Sequence, residues 1–204
     1  MNTLSLIIFL PMLVALLLFF IRNNVELVKI TYLFITLIVF YLSLQIYIDF
    51  IPNNSMQFVE KQVWIAEYGI NYHIGVDGVS LGIVMMSAII MPLIALSLYR
   101  SRDNGGYWIN LLFVQGGVMG AVLSLDLMLF YLFWEIMLLP IFFMLGLFGY
   151  ARKNFIAMKF NIYTIFGSLL MLIARLYIAV RYKQHLGVYS FIINDLQKLV
   201  LSPS

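Results

Sequence analysis

Long apolar stretches alternate with short polar segments along this chain. Each of six stretches is long enough to cross a bilayer, because about 20 apolar residues rising 1.5 Å each span the hydrocarbon. We therefore predict six transmembrane helices, at 4–21, 30–48, 79–99, 108–125, 125–150 and 159–180. Pro11 and Pro140 lie inside the first and fifth helices and predict kinks there, because proline removes a helical hydrogen bond.

The segment 51–77 has a different pattern, in which apolar and polar residues alternate from 70 to 77. Alternation is the period of a β-strand. Together with the strand-like run 57–65 and a turn at Tyr68 and Gly69, it predicts a β-hairpin outside the membrane, on which His73 is a surface residue. Asp77 and Asp126 precede apolar runs and are predicted to cap the helices that follow.

The chain therefore divides into four parts. These are two helices in 1–50, the external hairpin in 51–77, four helices in 78–180 and an external tail in 181–204. Within the tail, 191–200 predicts a short amphipathic helix. The fold class is an all-α polytopic membrane protein with a small β-hairpin.

The composition agrees with a lipid environment, since 64% of the residues are hydrophobic and 10% are charged. No cysteine is present, which excludes disulfides and thiolate-bound metals or iron–sulfur clusters, and the two histidines are far apart in sequence. We expect no metal and no bound cofactor in this chain. The net charge of +3 comes from short basic clusters beside the membrane spans, so no nucleic-acid partner is expected.

Basic residues are concentrated in the loops after helices one, three and five. They are Arg22, Lys29, Arg100, Arg102, Arg152 and Lys153. Because loops rich in Lys and Arg stay in the cytoplasm, these loops are predicted to be cytoplasmic and the N-terminus to lie outside.

Glu135 is the ionisable residue inside the fifth apolar run. It lies roughly 13 Å along the helix from Asp126, where a carboxyl costs about 3 kcal/mol and should face protein or water. Pro140 leaves the carbonyl of Ile136 without its helical donor, so an acid and a free carbonyl lie close together. The pattern predicts a site for a proton, water or a cation, or else a hydrogen bond that joins two helices.

Two cations belong to the sixth helix. Lys159 lies at its start, where it either anchors the helix at the headgroups or lies on a proton path. Arg175 interrupts the apolar run and, if helices five and six are antiparallel, lies about one turn from Glu135 in depth. Arg175 is therefore a candidate ion-pair partner of Glu135.

Three segments carry a resemblance to a known family: YHIGVDGVS at 72–80, FYLFWEIMLLPIFFMLG at 130–146 and KFNIYTIFGSLLMLIA at 159–174. They resemble the proton-translocating subunit M family of NADH:quinone oxidoreductase, the respiratory complex I. The family has a mitochondrial counterpart and relatives among the antiporter-like subunits of sodium/proton antiporters.

The resemblance implies a membrane-arm subunit that translocates protons and has no redox site of its own. NADH, FMN, iron–sulfur clusters and quinone would be bound by partner subunits. The partners would be other membrane-arm subunits and the lipid bilayer, in the bacterial inner membrane or, for an organellar protein, the mitochondrial inner membrane.

The resemblance also implies roles for individual residues. Glu135 corresponds to the family's proton-carrying glutamate and Lys159 to the lysine at the start of helix six. Family members are longer and contain a further lysine-bearing helix, so the chain is expected to be the N-terminal part of an antiporter-like subunit, truncated or split. Arg175 departs from the family, in which an aliphatic residue is usual at this position.

Two other functions remain open. One is a subunit of a multisubunit sodium/proton antiporter. The other is a membrane fragment that transports nothing, in which Glu135 is neutralised by Arg175.

Overall fold

Six long helices and a two-stranded sheet form the computed structural model, which describes residues 3–53, 55–101, 104–149, 151–187 and 189–196. The helices are α1 (Thr3–Phe20), α2 (Val25–Asp49), α3 (Gly78–Leu98), α4 (Gly105–Leu123), α5 (Leu127–Phe148) and α6 (Lys153–Leu186), followed by the four-residue α7 (Ile193–Leu196). Within the described ranges, six helices are long and apolar enough to cross a membrane. The predicted fold class is therefore confirmed.

The helix ends differ from the predicted ends because hydropathy marks the membrane-crossing part of a helix and not its caps. α2 begins at Val25 because the Asn24 side chain accepts a hydrogen bond from the Leu27 amide at 3.3 Å. α6 runs from Lys153 to Leu186, so residues 181–186 belong to this helix and not to the tail. It ends at Gly187, whose φ of 79° is a left-handed conformation that suits glycine.

The amphipathic helix predicted at 191–200 is only partly covered by the structure. α7 accounts for Ile193–Leu196, and residues 197–204 lie outside the described part of the chain.

α4 is the central helix of the bundle and packs against α1, α2, α3 and α5. Its glycines allow the close approach. A Cβ on Gly116 would meet Met12 and the backbone of Ile8 on α1, and a Cβ on Gly120 would meet the Phe133 ring on α5. The small residues that the sequence places four apart thus serve two partner helices.

Gly116→Ala is expected to lower the stability of the bundle by about 1–3 kcal/mol, because the Ile8 carbonyl oxygen would lie 2.8 Å from the new Cβ and backbone cannot move aside cheaply. Thermal unfolding in detergent measures the effect. Gly82→Ala on α3 is the matched control, since a Cβ there meets nothing within 4 Å. Equal melting temperatures for the two variants would contradict the close α1–α4 packing.

The predicted hairpin is present at one end of the bundle. β1 (Gln57–Ile65) and β2 (Ile70–Val76) pair antiparallel, with Lys61 opposite His73. The connection is a short 3₁₀ helix that ends at Gly69, where φ is 65°. We refer to this end of the bundle as the hairpin end; it also holds the start of α5, because the Leu125 amide donates to the His73 carbonyl at 2.8 Å.

The prediction that His73 is a surface residue is wrong, since its side chain is 8% exposed and Nδ1 is buried without a hydrogen-bond partner. The segment before α5 flanks this strand, since Ser124 pairs with Ile74 and the Leu125 amide donates to the His73 carbonyl. Residues 191–193 pair in turn with that segment: the Leu127 amide donates to the Phe191 carbonyl at 2.9 Å and the Ile193 amide to the Leu125 carbonyl at 3.1 Å. Burial lowers the pKa of His73, with a smaller contribution from Lys61. The uncharged imidazole is therefore favoured at neutral pH.

Both predicted aspartate caps are present. The Asp77 carboxylate accepts a hydrogen bond from the Ser80 amide at 2.7 Å, and the Asp126 carboxylate accepts from Met128 at 2.9 Å and Leu129 at 3.2 Å. Each carboxylate therefore fixes the first turn of the helix that follows it.

Candidate functional site

Glu135 lies on α5, eight residues after its first residue Leu127 and therefore about 12 Å along the helix. Its side chain is half-buried, and its Oε1 is buried without a hydrogen-bond partner. An acidic oxygen without a partner inside a transmembrane helix is costly unless it binds a proton, water or a cation. The geometry therefore leaves Glu135 able to bind a proton.

Tyr131 lies one turn before Glu135 on the same face of α5. This face is directed to α6, because the guanidinium carbon of Arg175 on α6 lies 5.8 Å from the centre of the Tyr131 ring. Ser168 belongs to α6 and is 3% exposed. The carboxyl is therefore directed to the interface between α5 and α6.

Arg175 does not form the predicted ion pair with Glu135. Its guanidinium donates from Nη1 to the Leu127 carbonyl at 2.9 Å and lies 4.7 Å from the centre of the Phe130 ring. Among the described residues, the ion pair found joins Lys29 Nζ and Glu26 Oε1 at 3.6 Å, and it involves neither Arg175 nor Glu135. Arg175 instead packs at the first turn of α5. The predicted alignment put it about one turn from Glu135, and a displacement of α6 along α5 adds about one more turn.

Lys159 also lies away from Glu135. It is an exposed residue near the start of α6, and its Nζ is 5.8 Å from the centre of the Tyr163 ring, one turn further along the same helix. This cation–π contact fits a residue that anchors the helix at the interface. Its place on a proton path stays a prediction.

A cleft of about 1050 Å³ opens at the end of the bundle opposite the hairpin. Arg22, Asn23 and Asn104 form part of its polar rim, and its lining reaches Leu139 and Pro140 on α5. Leu139 lies one helical turn after Glu135 on the same face of α5. The cleft therefore extends to within about a helical turn of Glu135 along α5.

Sequence reasoning did not single out Tyr131 or Ser168. Both are neutral residues in aromatic and apolar runs, where hydropathy gives no signal. Helical spacing did give a signal. Tyr131 precedes Glu135 by four residues and Ser168 precedes Arg175 by seven, so each shares a helix face with a charged side chain. In the part of the chain that the structure describes, no three acidic or histidine side chains are grouped as a metal site would need.

Comparison with known proteins places these residues in a family. Residues 124–192, which include Glu135, Ser168 and Arg175, match the family described as NADH:quinone oxidoreductase/Mrp antiporter, TM. The chain is 37% identical over 183 residues to NADH-quinone oxidoreductase subunit M of Rhodobacter capsulatus, covering 85% of this chain and 35% of that protein.

Two further comparisons agree with this match. The chain is 30% identical over 203 residues to NADH-quinone oxidoreductase subunit M of Rickettsia prowazekii, covering 96% of this chain and 40% of that one. A chain of respiratory complex I from Thermus thermophilus with bound NADH has the same fold, with a TM-score of 0.81 at 22% identity, covering 98% of this chain and 40% of that one. The chain thus spans between a third and two fifths of the length of these relatives.

Proposed function

Because the chain belongs to the subunit M family of NADH:quinone oxidoreductase, we propose that it forms part of the membrane arm of a proton-pumping enzyme of that class and that Glu135 carries the proton. The observation that supports this role is the Glu135 carboxyl, which lies within a transmembrane helix at a helix–helix interface with one oxygen buried and unpaired. Such a carboxyl responds strongly to nearby charge.

The chemistry of Glu135 follows from its surroundings. Burial favours the neutral acid, and a cation brought close favours the carboxylate. A conformational change that moves a cation toward or away from Glu135 therefore makes the carboxyl release or take up a proton. The cleft reaches Ile136 and Pro140, and water would approach this region from one side through it.

The remaining assignments rest on the family. Electrons would pass through NADH, FMN, iron–sulfur clusters and quinone in partner subunits, and other membrane-arm subunits would contact this chain. Lys159 would lie on the proton path or anchor α6. The membrane would be a bacterial inner membrane, or the mitochondrial one for an organellar protein, with the N-terminus outside and the cleft facing the cytoplasm.

Inverted membrane vesicles from the native host test the proposal. Deleting the gene is expected to abolish most NADH-driven acidification of the vesicle interior, measured by quenching of a pH-sensitive dye, and a plasmid copy should restore it. Unchanged acidification in the deletion strain, at equal NADH oxidation, would rule the proposal out.

The family description also covers Mrp antiporters, which makes sodium/proton exchange the second candidate. That function predicts dye responses that require added Na⁺ and do not require NADH. The same vesicles therefore distinguish the two candidates.

A further inference from the structure

Arg175 on α6 is a buried cation whose contacts are a backbone carbonyl, a sulfur and aromatic rings. Its side chain is 7% exposed. Nη1 donates to the Leu127 carbonyl at 2.9 Å and Nη2 to the Met171 sulfur at 3.0 Å. Among the residues that the structure describes, no carboxylate lies within ion-pair distance of the guanidinium. A buried charge that no counter-ion neutralises is weakly screened and repels other cations nearby.

Asp126 is the acidic residue next in sequence to the carbonyl that Arg175 contacts. Its carboxylate is already engaged, because it accepts hydrogen bonds from the amides of Asn71, Met128 and Leu129. These donors belong to β2 and to the first turn of α5. Asp126 therefore serves the backbone around it and forms no ion pair with Arg175.

Aromatic rings hold the guanidinium at the hairpin end of the contact between α5 and α6. The guanidinium carbon lies 4.7 Å from the centre of the Phe130 ring and 5.8 Å from the centre of the Tyr131 ring. Phe130 is itself fixed, because it stacks on Trp134 with ring centres 5.9 Å apart. A proton that moved along this contact would therefore have to pass close to a positive charge that is held in place.

The two sides of Glu135 differ in access. On the side opposite the hairpin, the cleft reaches Ile136, the next residue along α5, and Arg22 at its rim is exposed, so that water screens its charge. On the hairpin side, Arg175 is buried at the first turn of α5, about 12 Å along the helix from Glu135. In membrane pores, a fixed positive charge on a narrow path excludes protons and other cations.

We propose that Arg175 is an electrostatic barrier that closes the hairpin end of the α5–α6 contact to protons, so that Glu135 exchanges protons through the side to which the cleft opens. The barrier prevents protons on the hairpin side from flowing back along this contact to Glu135. The inference rests on the proposed role of Glu135 as the proton carrier. It gives Arg175 a part in keeping proton movement coupled, without direct pairing to Glu135.

Passive proton leak through the complete purified enzyme, reconstituted in liposomes, tests the inference. A pH-sensitive dye inside the liposomes reports the leak after an acid jump without NADH, with valinomycin and K⁺ present to prevent charge build-up and protein-free liposomes as the background. Arg175→Met removes the charge and keeps a long side chain. It is expected to raise the leak at least about tenfold, the factor that a unit charge roughly 12 Å away produces at an effective dielectric constant of about 20.

Two matched variants separate charge from packing. Arg175→Lys changes the shape of the side chain and keeps the charge, so its leak should stay near that of the unaltered enzyme. Arg181→Met makes the same substitution at an exposed residue of the same helix and should also leave the leak unchanged. Equal leaks in Arg175→Met and Arg175→Lys would show that packing and not charge closes the contact, and would overturn the inference.

The double variant Arg175→Met with Glu135→Gln shows whether the leak passes through Glu135. Its leak should return to the unaltered level, and a leak that persists would overturn the inference. A tight Arg175→Met enzyme would overturn the inference as well, while NADH-driven pumping that is lost in Glu135→Gln alone would leave the proposed function standing. Where Arg175→Met does not assemble, Arg175→Gln replaces it, because glutamine loses the charge but can still donate to the Leu127 carbonyl. An Arg175→Gln enzyme as tight as the unaltered one would overturn the barrier.

Discussion

Glu135→Gln is expected to reduce NADH-driven proton translocation by about tenfold or more, because glutamine cannot bind and release a proton and an acid–base group contributes at least this much to proton transfer. Glutamine has nearly the same volume as glutamate and keeps an oxygen that can accept a hydrogen bond, so the α5–α6 interface should stay intact. The measurement is the initial rate of acidification of inverted vesicles per NADH oxidised.

Glu67→Gln provides the control for this substitution. Glu67 is an exposed residue of the 3₁₀ helix in the hairpin, far along the chain from α5, so the same chemical change is made there away from the site. Pumping should stay at the unaltered level in this variant. If Glu135→Gln pumps as well as Glu67→Gln, with equal amounts of assembled complex on a native gel, then Glu135 does not carry the proton.

The helices could be predicted from the sequence because the bilayer imposes a length and a polarity on each of them. Some helix caps could also be predicted, because a polar residue directly before an apolar run commonly caps the helix that follows. Hydropathy did not predict the ends of α2 and α6, because Asn24 acts through a hydrogen bond from its side chain to the helix backbone and Gly187 through a left-handed backbone conformation.

The depth of Glu135 followed from counting residues, but its partner did not. Placing Arg175 near Glu135 assumed that α5 and α6 start at matched levels. The hydrogen bond from Arg175 to Leu127 shows that Arg175 lies about two turns from Glu135 along α5. A relative displacement of two helices is a tertiary property, and a single sequence contains no measure of it.

The burial of His73 shows the same limit for the hairpin. The alternation from 70 to 77 correctly predicts a strand, and by itself it suggests that every second residue faces water. The residues that pair with this strand, Ser124 and Leu125, come about fifty positions later in the chain. Local periodicity therefore predicts the strand and not what packs on it.

Asp126→Ala is expected to destabilise the protein by about 3–5 kcal/mol, far more than the loss of an ordinary helix cap. Asp126 is fully buried, and its carboxylate accepts hydrogen bonds from the Met128 and Leu129 amides and, at 3.1 Å, from the Asn71 amide of β2. Alanine would leave these donors buried without an acceptor. Thermal or denaturant unfolding in detergent measures the loss.

Asp77→Ala is the matched control, because Asp77 caps α3 in the same way but is only partly buried. Water can replace its carboxylate there, so a loss of about 1 kcal/mol is expected. Similar losses in the two variants would show that Asp126 does nothing more than cap α5. A greater loss in Asp126→Ala would show that this carboxylate also joins the hairpin to the membrane helices.

The pH dependence gives an independent test of how Asp126 acts. Burial raises its pKa, and the backbone hydrogen bonds and His73 oppose the rise. Since the folded state then binds the proton more tightly than the unfolded state, the contribution of Asp126 to stability is greatest below the unfolded pKa and falls as pH rises through the folded pKa. Asp126→Asn, which keeps one acceptor and does not titrate, should therefore gain stability relative to the unaltered protein as pH rises from about 4 to 7. A constant difference across this range would show that burial does not shift the proton affinity of Asp126.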